Sequence, residues 1–478
     1  MDAATQSSEA RFEAYVEQLL PALGHADRAQ PFHNYCAGLL MPGERQSVEP
    51  MAAIVAPARA SAEHQSLIHF VAQAPGSDAV MLSKVRELAL PAIEQQGGPI
   101  EAWIVDDTGF PKKGKHSVGV ARQYCGRLGK VDNCQIAVSL SVANHEASLP
   151  IAFRLYLPQE WTDDATRRQR AHVPDDVAFK TKPQIALEQI RAARDADVAQ
   201  GVVLADAAYG TNDEFRAGLS DIGLRYAVGV QSNVSVWPPG VEPLAPKEWS
   251  GRGRPPTRLR RDAQHKPSSL KQLAMSLPAE AWKDVTWRDG SNDALASRFA
   301  AVRVRPGAED FRQAEPNEFE WLLIEWPSGE AEPSKYWLSN LPEDMPLDAL
   351  VDIAKLRWRI ERDYEELKSE VGLDHFEGRS WRGFHHHAAL CVAAYGFLIR
   401  ERAALPLPPS ASESLEEPSV SDRDRPRCAA NPPRAPRRKL DRHNEAKAQR
   451  RARQKAPTMS VLPVNRIREP LSSPYVTQ

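Results

Sequence analysis

"WIVDDTGFPKKGKHSVG", residues 103–119, ends an apolar run with two adjacent aspartates and follows them with three lysines. The apolar run before Asp106 is typical of a buried strand, and a buried strand has no need of two charges at its end. A charged, exposed turn is the simpler explanation of Asp106 and Asp107 when the stretch is taken alone. Residues elsewhere in the chain are therefore needed to distinguish an exposed turn from a functional site at Asp106 and Asp107.

The hydrophobic pattern changes from helical to strand-like after residue 95. Residues 1–95 carry apolar residues at helical spacing, which predicts a helical N-terminal domain. Five strands are predicted next, at 102–107, 133–144, 147–158, 201–206 and 224–230. Helices are predicted at 181–201 and 211–223, the first with Thr181 and Pro183 at its start. The order of three strands, helix, strand, helix, strand predicts an α/β fold over 96–232, with a mixed five-stranded sheet flanked by helices.

The second half of the chain breaks this order. Residues 233–345 hold Pro-rich and basic stretches together with strand-like runs at 319–327 and 335–340, and are predicted to form a β-rich insertion. The core is expected to resume over 346–402, with a helix at 347–371 and another at about 384–402. Twelve of the 39 prolines follow residue 405, so a disordered tail is predicted over 403–478.

Charge and composition bound the function. The net charge is -2, but thirteen Arg and Lys face three acids between residues 423 and 455, which is typical of an interaction arm. Five cysteines without a Cys-x-x-Cys pair argue against a zinc ribbon or a disulfide framework and fit a reducing compartment. The N-terminus lacks the basic segment followed by an apolar core that is typical of a secretory signal. We expect a cytoplasmic protein.

Two further stretches predict buried helix rather than a site or a membrane span. The apolar run 388–399 is shorter than the roughly 20 residues that cross a bilayer, so no membrane partner is expected. His385, His386 and His387 point about 100° apart on a helix and cannot together bind one metal ion. A mixed buried and surface role is predicted for them.

The strand at 201–206 also ends in an aspartate, Asp206. If it lies beside the strand that ends at Asp106, the carboxyl ends of the two strands coincide, and open α/β sheets bind ligands there. A turn or a helix cap is an equally good explanation of Asp206 taken alone.

A third acid lies in "LVDIAKLRWRIERDYEELKSEVG", residues 350–372. On one continuous helix, Arg357, Glu361 and Lys368 lie along the border of an apolar stripe, and Glu370 falls on the opposite face. The stripe consists of Leu350, Ile353, Ile360, Tyr364, Leu367 and Val371. An exposed i,i+4 ion pair is the simpler explanation of Arg357 and Glu361 in isolation.

Taken together, the three acids indicate a metal site. Carboxylates brought close together repel one another and raise each other's pKa unless cations lie between them. Mg²⁺, or Mn²⁺ in its place, binds such oxygen ligands, and two ions can activate an attacking oxygen and stabilise a leaving oxygen in phosphodiester cleavage.

These residues resemble a known family. The strand and helix order with Asp, Asp and Glu, and "R-x-x-x-E-x-x-x-x-x-x-K" at Arg357, Glu361 and Lys368, is similar to the Tyr-Arg-Glu-Lys signature of bacterial insertion-sequence transposases of the DDE superfamily. The stretches 106–141, 204–210 and 372–387 strengthen the likeness, which spans about residues 100–400. The Tyr of the signature falls on Ala354 here.

The resemblance implies a ribonuclease H-like core with a β insertion before the Glu. It implies Asp106, Asp206 and Glu361 as catalytic ligands of two Mg²⁺ ions, with Asp106 favoured over Asp107 because the family's first aspartate stands as Asp-x-Thr. The DNA-binding residues expected on this basis are Arg357, Lys368, Lys112, Lys113, Lys115 and Arg379. A solvated turn explains Lys112, Lys113 and Lys115 equally well.

The implied partners are the terminal inverted repeats of an element and a target, both double-stranded DNA, bound by a homodimer. The resemblance therefore also implies association with the nucleoid. The helical domain 1–95 would recognise the ends, the insertion would shape or cover the active site, and the tail would add sequence-independent affinity. Two alternatives stay open. One is a nuclease of the same fold that does not join ends, and the other is a transposase-derived DNA-binding protein without catalysis.

Overall fold

Helices form the N-terminal part of the chain, as the spacing of its apolar residues predicts. The protein is represented by a computed structural model that describes residues 7–43, 45–289, 294–307 and 312–404. The helices before the first strand are α1 (Ser8–Leu19), α2 (Ala29–Leu40), α3 (Val48–Val55), α4 (Ala60–Gln73) and α5 (Asp78–Gly97). The predicted tail 403–478 lies outside the described residues from 405 onward.

The later helices flank the sheet. They are α6 (Gln159–Thr162), α7 (Ala165–Arg170), α8 (Lys182–Asp195), α9 (Ala207–Gly210), α10 (Asp213–Asp221), α11 (Leu270–Ser276), α12 (Leu347–Lys355), α13 (Arg359–Ser369) and α14 (Trp381–Ala404). The starts of α8 and α10 follow local chemistry, because Thr181 forms a capping box with Gln184, and Asn212 accepts a hydrogen bond from the backbone N–H of Phe215. Helix α8 ends at Asp195, short of the predicted Gly201.

Helix α14 lies at the centre of the helical layer. Its apolar stretch 388–399 is buried almost throughout, which confirms the predicted buried helix. The Tyr15 hydroxyl of α1 donates to the Ala393 carbonyl at 2.8 Å. Helices α2, α4 and α5 also contact α14, and their buried apolar residues share one core with a face of the sheet. No helix in the described ranges is long and apolar enough to cross a membrane.

All five predicted strands form. The strands of the first half are β1 (Ala102–Pro111), β2 (Ala121–Cys125), β3 (Lys130–Ala143), β4 (Ser148–Leu155), β5 (Val202–Ala205) and β6 (Tyr226–Val230). Strand β1 pairs antiparallel with β3 and parallel with β5, and β5 pairs parallel with β6. The prediction missed β2, which pairs with the first half of β3. The predicted tight turn after β3 is built by Asn144, whose Oδ1 accepts from the backbone N–H groups of Glu146 and Ala147.

The sheet is larger than the predicted five strands. The remaining strands are β7 (Ser235–Trp237), β8 (Ser268–Ser269), β9 (Lys283–Asp289), β10 (Ala294–Pro306), β11 (Glu320–Trp326) and β12 (Lys335–Ser339). Strand β12 pairs antiparallel with β6, and β11 and β10 follow in order. Residues 233–345 therefore extend the first sheet instead of building one of their own, because β6 would otherwise present an unpaired edge. The result is one large, open, mixed sheet flanked by helices.

The predicted helix 347–371 is wrong in one respect. Helices α12 and α13 are separated by a 3₁₀ turn at Leu356–Trp358. The tighter winding of a 3₁₀ turn changes the angle between successive side chains, so the stripe expected for one continuous helix is divided. Its members are still mostly buried, and Arg357 itself lies in the turn.

Candidate active site

The sheet brings the first two aspartates to one edge. Strands β1 and β5 are parallel neighbours in which Ile104 is opposite Leu204. Asp106 and Asp206 each lie two residues beyond that pair, toward the carboxyl ends of their strands. Both line a cavity of about 850 Å³ together with Glu361 of α13. We call this the acidic cavity.

Arg357 links two of the three carboxylates. Its Nη1 donates to Asp106 Oδ2 at 3.0 Å, and its Nη2 donates to Glu361 Oε1 at 3.1 Å. The Glu361 side chain is 66% exposed and the Asp106 side chain 17% exposed, so the pair connects the floor of the cavity to its rim. The expected i,i+4 ion pair therefore forms, and it is part of the acidic cavity.

Asp106 lies in an environment that disfavours its charge. Burial raises its pKa to about 7, the Arg357 guanidinium opposes that rise, and the Asp206 carboxylate adds to it. The backbone N–H of Asp107 donates to Asp106 Oδ1 at 2.8 Å. Arg357 thus offsets only part of the effects that disfavour the charge of Asp106.

Asp206 serves two roles at once. Its Oδ1 accepts from the backbone N–H of Ala208 at 2.9 Å and caps α9, as the simpler explanation of this residue predicts. The residue also lines the acidic cavity. A cap leaves a carboxylate with further lone pairs for other partners.

The neighbouring Asp107 has different partners from Asp106. Its Oδ2 accepts from Lys182 Nζ at 2.8 Å and from the Tyr209 hydroxyl at 3.4 Å. Lys182 also lines the acidic cavity. Sequence reasoning missed Lys182, because its position at the start of α8 identifies it only as part of a helix cap.

Of the predicted DNA-binding lysines and Arg379, one lies in the lining of the acidic cavity and the others lie outside it. Lys368 lines the acidic cavity, donates to Thr108 Oγ1 at 2.5 Å, and has its pKa lowered to about 8 by burial. Lys112 is half-buried and donates to the Phe376 carbonyl at 2.8 Å. The exposed residues Lys113, Lys115 and Arg379 stand apart from the lining of this cavity.

The three histidines at 385–387 each have separate partners. His386 and His387 are buried and His385 is half-buried, so the predicted buried role holds and the predicted surface role does not. The ring of His386 contacts Asp78 at 2.8 Å, and the ring of His387 contacts the Tyr35 hydroxyl at 2.9 Å. These rings join α14 to the N-terminal helices.

The acidic cavity offers hard oxygen ligands and adjoining cations. In the conformation described, no three His, Cys, Asp or Glu side chains of the described residues are grouped closely enough to hold a metal ion. The Arg357 guanidinium lies between the carboxylates of Asp106 and Glu361. The donor set itself suits Mg²⁺, which binds carboxylate oxygens and keeps waters for a substrate.

An open mixed sheet whose Asp106 and Asp206 share one cavity with Glu361 of α13 is the arrangement expected of a DDE-type nuclease. A sequence-family model described as DDE superfamily endonuclease matches residues 18–294, and the chain belongs to this family. The matched region includes Asp106 and Asp206 and ends before Glu361. The protein therefore belongs to an enzyme family, the DDE superfamily endonucleases, as its sequence motifs predict.

A curated protein that is similar to this chain is a probable transposase of an insertion sequence. The chain is 34% identical over 172 residues to a probable transposase for insertion sequence element IS701 from Microchaete diplosiphon. That alignment covers 35% of this chain and 41% of the relative, so the chain spans less than half of the relative's length. The similarity confirms the resemblance to insertion-sequence transposases of the DDE superfamily.

Proposed function

We propose that the protein is a DNA transposase that binds the terminal inverted repeats of an insertion sequence, cleaves the DNA and joins the freed 3′ ends to a target. The observation that carries this proposal is the convergence of Asp106, Asp206 and Glu361 on one cavity, with Arg357 bonded to two of them. Membership of the DDE superfamily endonuclease family and the likeness to an insertion-sequence transposase support it.

The three carboxylates would hold two Mg²⁺ ions, for which Mn²⁺ would substitute. The fit rests on charge. Burial and the Asp206 carboxylate raise the pKa of Asp106 by more than the Arg357 guanidinium lowers it, so a bound cation would stabilise the ionised carboxylate. Bound ions of this kind would activate the attacking oxygen and stabilise the leaving oxygen.

The chain's own cations would position the DNA. Arg357 has the planar guanidinium that binds a phosphate through two parallel hydrogen bonds, and Lys368 adds a point charge beside Thr108 in the acidic cavity. Lys113, Lys115 and Arg379 are exposed and would contact backbone phosphates farther from the scissile bond. Lys112 would do so after leaving its bond to the Phe376 carbonyl.

The larger parts of the chain would divide the remaining tasks. The core of residues 96–232 and 346–402 would be ribonuclease H-like, and the helical region 1–95 would recognise the element ends. The insertion 233–345 would shape the active site, since its strands continue the same sheet from β6. Two copies would act on paired ends, with the basic residues of 403–478 adding salt-dependent affinity.

Cleavage by Asp206→Asn beside the parent chain tests the proposal. The substrate is the DNA that flanks the gene, incubated with Mg²⁺, and we expect product from the parent alone. Asp221→Asn is the matched control, because Asp221 is an exposed aspartate at the end of α10. Equal product from Asp206→Asn and the parent would reject the assignment.

Strand transfer separates the alternatives. With pre-cut ends and a plasmid target, a transposase gives joined product, whereas a nuclease of the same fold gives none. A DNA-binding protein without catalysis would give neither cleavage nor joining. Mutation of a carboxylate would then leave DNA binding unchanged.

A further inference from the structure

Arginines from three parts of the chain line a second cavity, of about 840 Å³. They are Arg288 of β9, Arg359 and Arg362 of α13, and Arg402 of α14. Among the described residues that line it, Glu146 is the one acidic side chain. We call this cavity the arginine pocket.

Two of these arginines share one carboxylate of the protein. Arg362 Nε donates to Glu366 Oε1 at 2.9 Å, and Arg402 Nη1 donates to Glu366 Oε2 at 2.7 Å. A single carboxylate therefore offsets only part of the charge of this pair. Arg288 and Arg359 add two further positive charges to the pocket.

Arg359 is the decisive side chain. It is 6% exposed, and its Nε is buried without an acceptor in the described part of the chain. Its guanidinium lies 4.6 Å from the Trp358 ring centre. No described carboxylate forms an ion pair with it, although the charges of Glu146 and Asp363 act on it from farther away. A guanidinium stays charged in a protein, so burial of its Nε without an acceptor is unfavourable. An anion bound in the pocket would supply that acceptor.

Arg288 contributes a second available charge. Its guanidinium stacks on Trp358 at 3.8 Å from the ring centre, and within the described ranges it forms no ion pair. Trp358 thus contacts one guanidinium of the insertion and one of the core. Guanidinium groups are suited to the planar, bidentate recognition of phosphate.

The arginine pocket is connected to the acidic cavity. A cavity of about 480 Å³ lies between the two. It shares Asp206 and Glu361 with the acidic cavity, and it shares Arg288 and Trp358 with the arginine pocket. A strand held at the carboxylates could therefore continue past Trp358 to Arg359.

We propose that the arginine pocket binds a backbone phosphate of the DNA, several nucleotides from the phosphate held at the acidic cavity. This inference rests on the proposed function for its substrate class. Arg359 and Arg288 would each donate to the phosphate oxygens, and Trp358 would keep the two guanidinium groups in place. Because the contact is to the backbone, it would act on DNA of any sequence.

Arg359→Met and Arg288→Gln test the proposal. The probe is a fluorescein-labelled 40-base-pair duplex of arbitrary sequence, titrated with the full chain by anisotropy at several salt concentrations. Each substitution should weaken binding by about tenfold and reduce the slope of log affinity against log salt by about one. The melting temperature of Arg359→Met should equal or exceed that of the parent, because the variant no longer buries an uncompensated charge. A purely structural Arg359 would instead give a lower melting temperature.

Arg298→Gln is the matched control. Arg298 also belongs to the insertion and stacks on a tryptophan, with its guanidinium 5.0 Å from the Trp326 ring centre, but it does not line the arginine pocket. Its substitution should leave duplex affinity and the salt slope unchanged.

The outcomes separate this inference from the proposed function. Parent-like affinity and salt slope in both Arg359→Met and Arg288→Gln would overturn the inference alone, provided that the parent binds the duplex. A parent that binds no duplex would overturn both proposals. Stabilisation by inorganic phosphate that is lost in Arg359→Met, with duplex affinity unchanged, would assign the pocket to a small phosphate compound and reject the DNA contact.

Discussion

At the scale of single residues, the two adjacent aspartates show what a sequence can and cannot predict. The apolar run before them predicts a buried strand that ends in charge, but β1 continues to Pro111, so the two aspartates lie in the middle of the strand. Alternation of side chains along a strand predicts that Asp106 and Asp107 have different environments. Their partners, Arg357 for one and Lys182 for the other, come from segments 251 and 75 residues away, and no local pattern identifies them.

The different partners predict different effects of substitution. Asp106→Asn removes the carboxylate that faces Arg357 and Glu361, so we expect cleavage to fall by at least about a hundredfold. Asp107→Asn removes an ion pair with Lys182 and should lower cleavage by less than about tenfold. Single-turnover cleavage at fixed Mg²⁺ measures both. The reverse order of the two effects would move the first catalytic position to Asp107.

Lys368 predicts an alkaline limit of activity. Burial lowers its pKa to about 8, so the cationic form that binds phosphate is half lost near pH 8 and largely lost above it. Lys368→Arg keeps the charge at all accessible pH values. Cleavage rates between pH 6.5 and 9.5 should decline above pH 8 in the parent and decline less in Lys368→Arg. Parallel profiles for the two proteins would exclude Lys368 as the titrating group.

At the scale of elements, helices with strong local signals could be predicted from the sequence, whereas strands that depend on pairing with distant segments could not. The caps at Thr181 and Asn212 and the apolar spacing of α5 and α14 identify helices directly from the sequence. Strands β2, β9 and β10 were missed, because their formation depends on neighbours that lie elsewhere in the chain. The break between α12 and α13 was also missed, since Leu356–Trp358 contains neither glycine nor proline.

Helix α13 carries Glu361 and is held from behind by a buried polar network. The Asp363 carboxylate accepts from the Ser148 hydroxyl at 2.5 Å and from the Tyr395 hydroxyl at 3.2 Å. The Tyr395 hydroxyl also contacts Glu366 Oε2 at 2.9 Å. This network ties α13 to β4 and α14, and so determines where Glu361 points.

Tyr395→Phe should therefore weaken both stability and catalysis. Loss of one hydroxyl leaves the buried Asp363 with one fewer donor, which should lower the free energy of unfolding by about 1–2 kcal/mol. Urea denaturation measures this change, and cleavage at saturating Mg²⁺ should fall only a few-fold because Glu361 keeps its carboxylate. Tyr124→Phe is the control for urea denaturation alone, because Tyr124 is 61% exposed but lines the acidic cavity. Equal midpoints for Tyr395→Phe and the parent would show that the network adds nothing to stability.

At the scale of the whole molecule, the sequence predicts the class of sheet but not its extent. Parallel β1, β5 and β6 follow from the strand and helix order, since parallel neighbours need crossover connections. Extension of the sheet through β12, β11 and β10 could not be predicted, because an edge strand does not encode which later segment will pair with it. The same holds for the acidic cavity. The sequence identifies Asp106, Asp206 and Glu361 and the cation Lys368 in its lining, whereas Lys182 and Arg127 are recognised only in the folded structure.

The packing of α14 against the N-terminal helices predicts acid sensitivity of the fold. His387 is 2% exposed, and burial lowers its pKa from 6.5 to about 4. Between these values the unfolded chain binds a proton at this residue and the folded chain does not, so stability falls as the pH falls from 6.5 to 4. The loss would be about 3 kcal/mol for this ring, at 1.36 kcal/mol per pKa unit.

His387→Gln tests this prediction, because glutamine can accept from the Tyr35 hydroxyl and donate to the Gly372 carbonyl, as the ring does, without titrating. We expect Tm to fall less between pH 7 and pH 4.5 in this variant than in the parent. His116→Gln, at an exposed position in the loop after β1, should fall as the parent does. If His387→Gln also follows the parent, the acid sensitivity arises elsewhere, and the contact between α14 and α2 is not its origin.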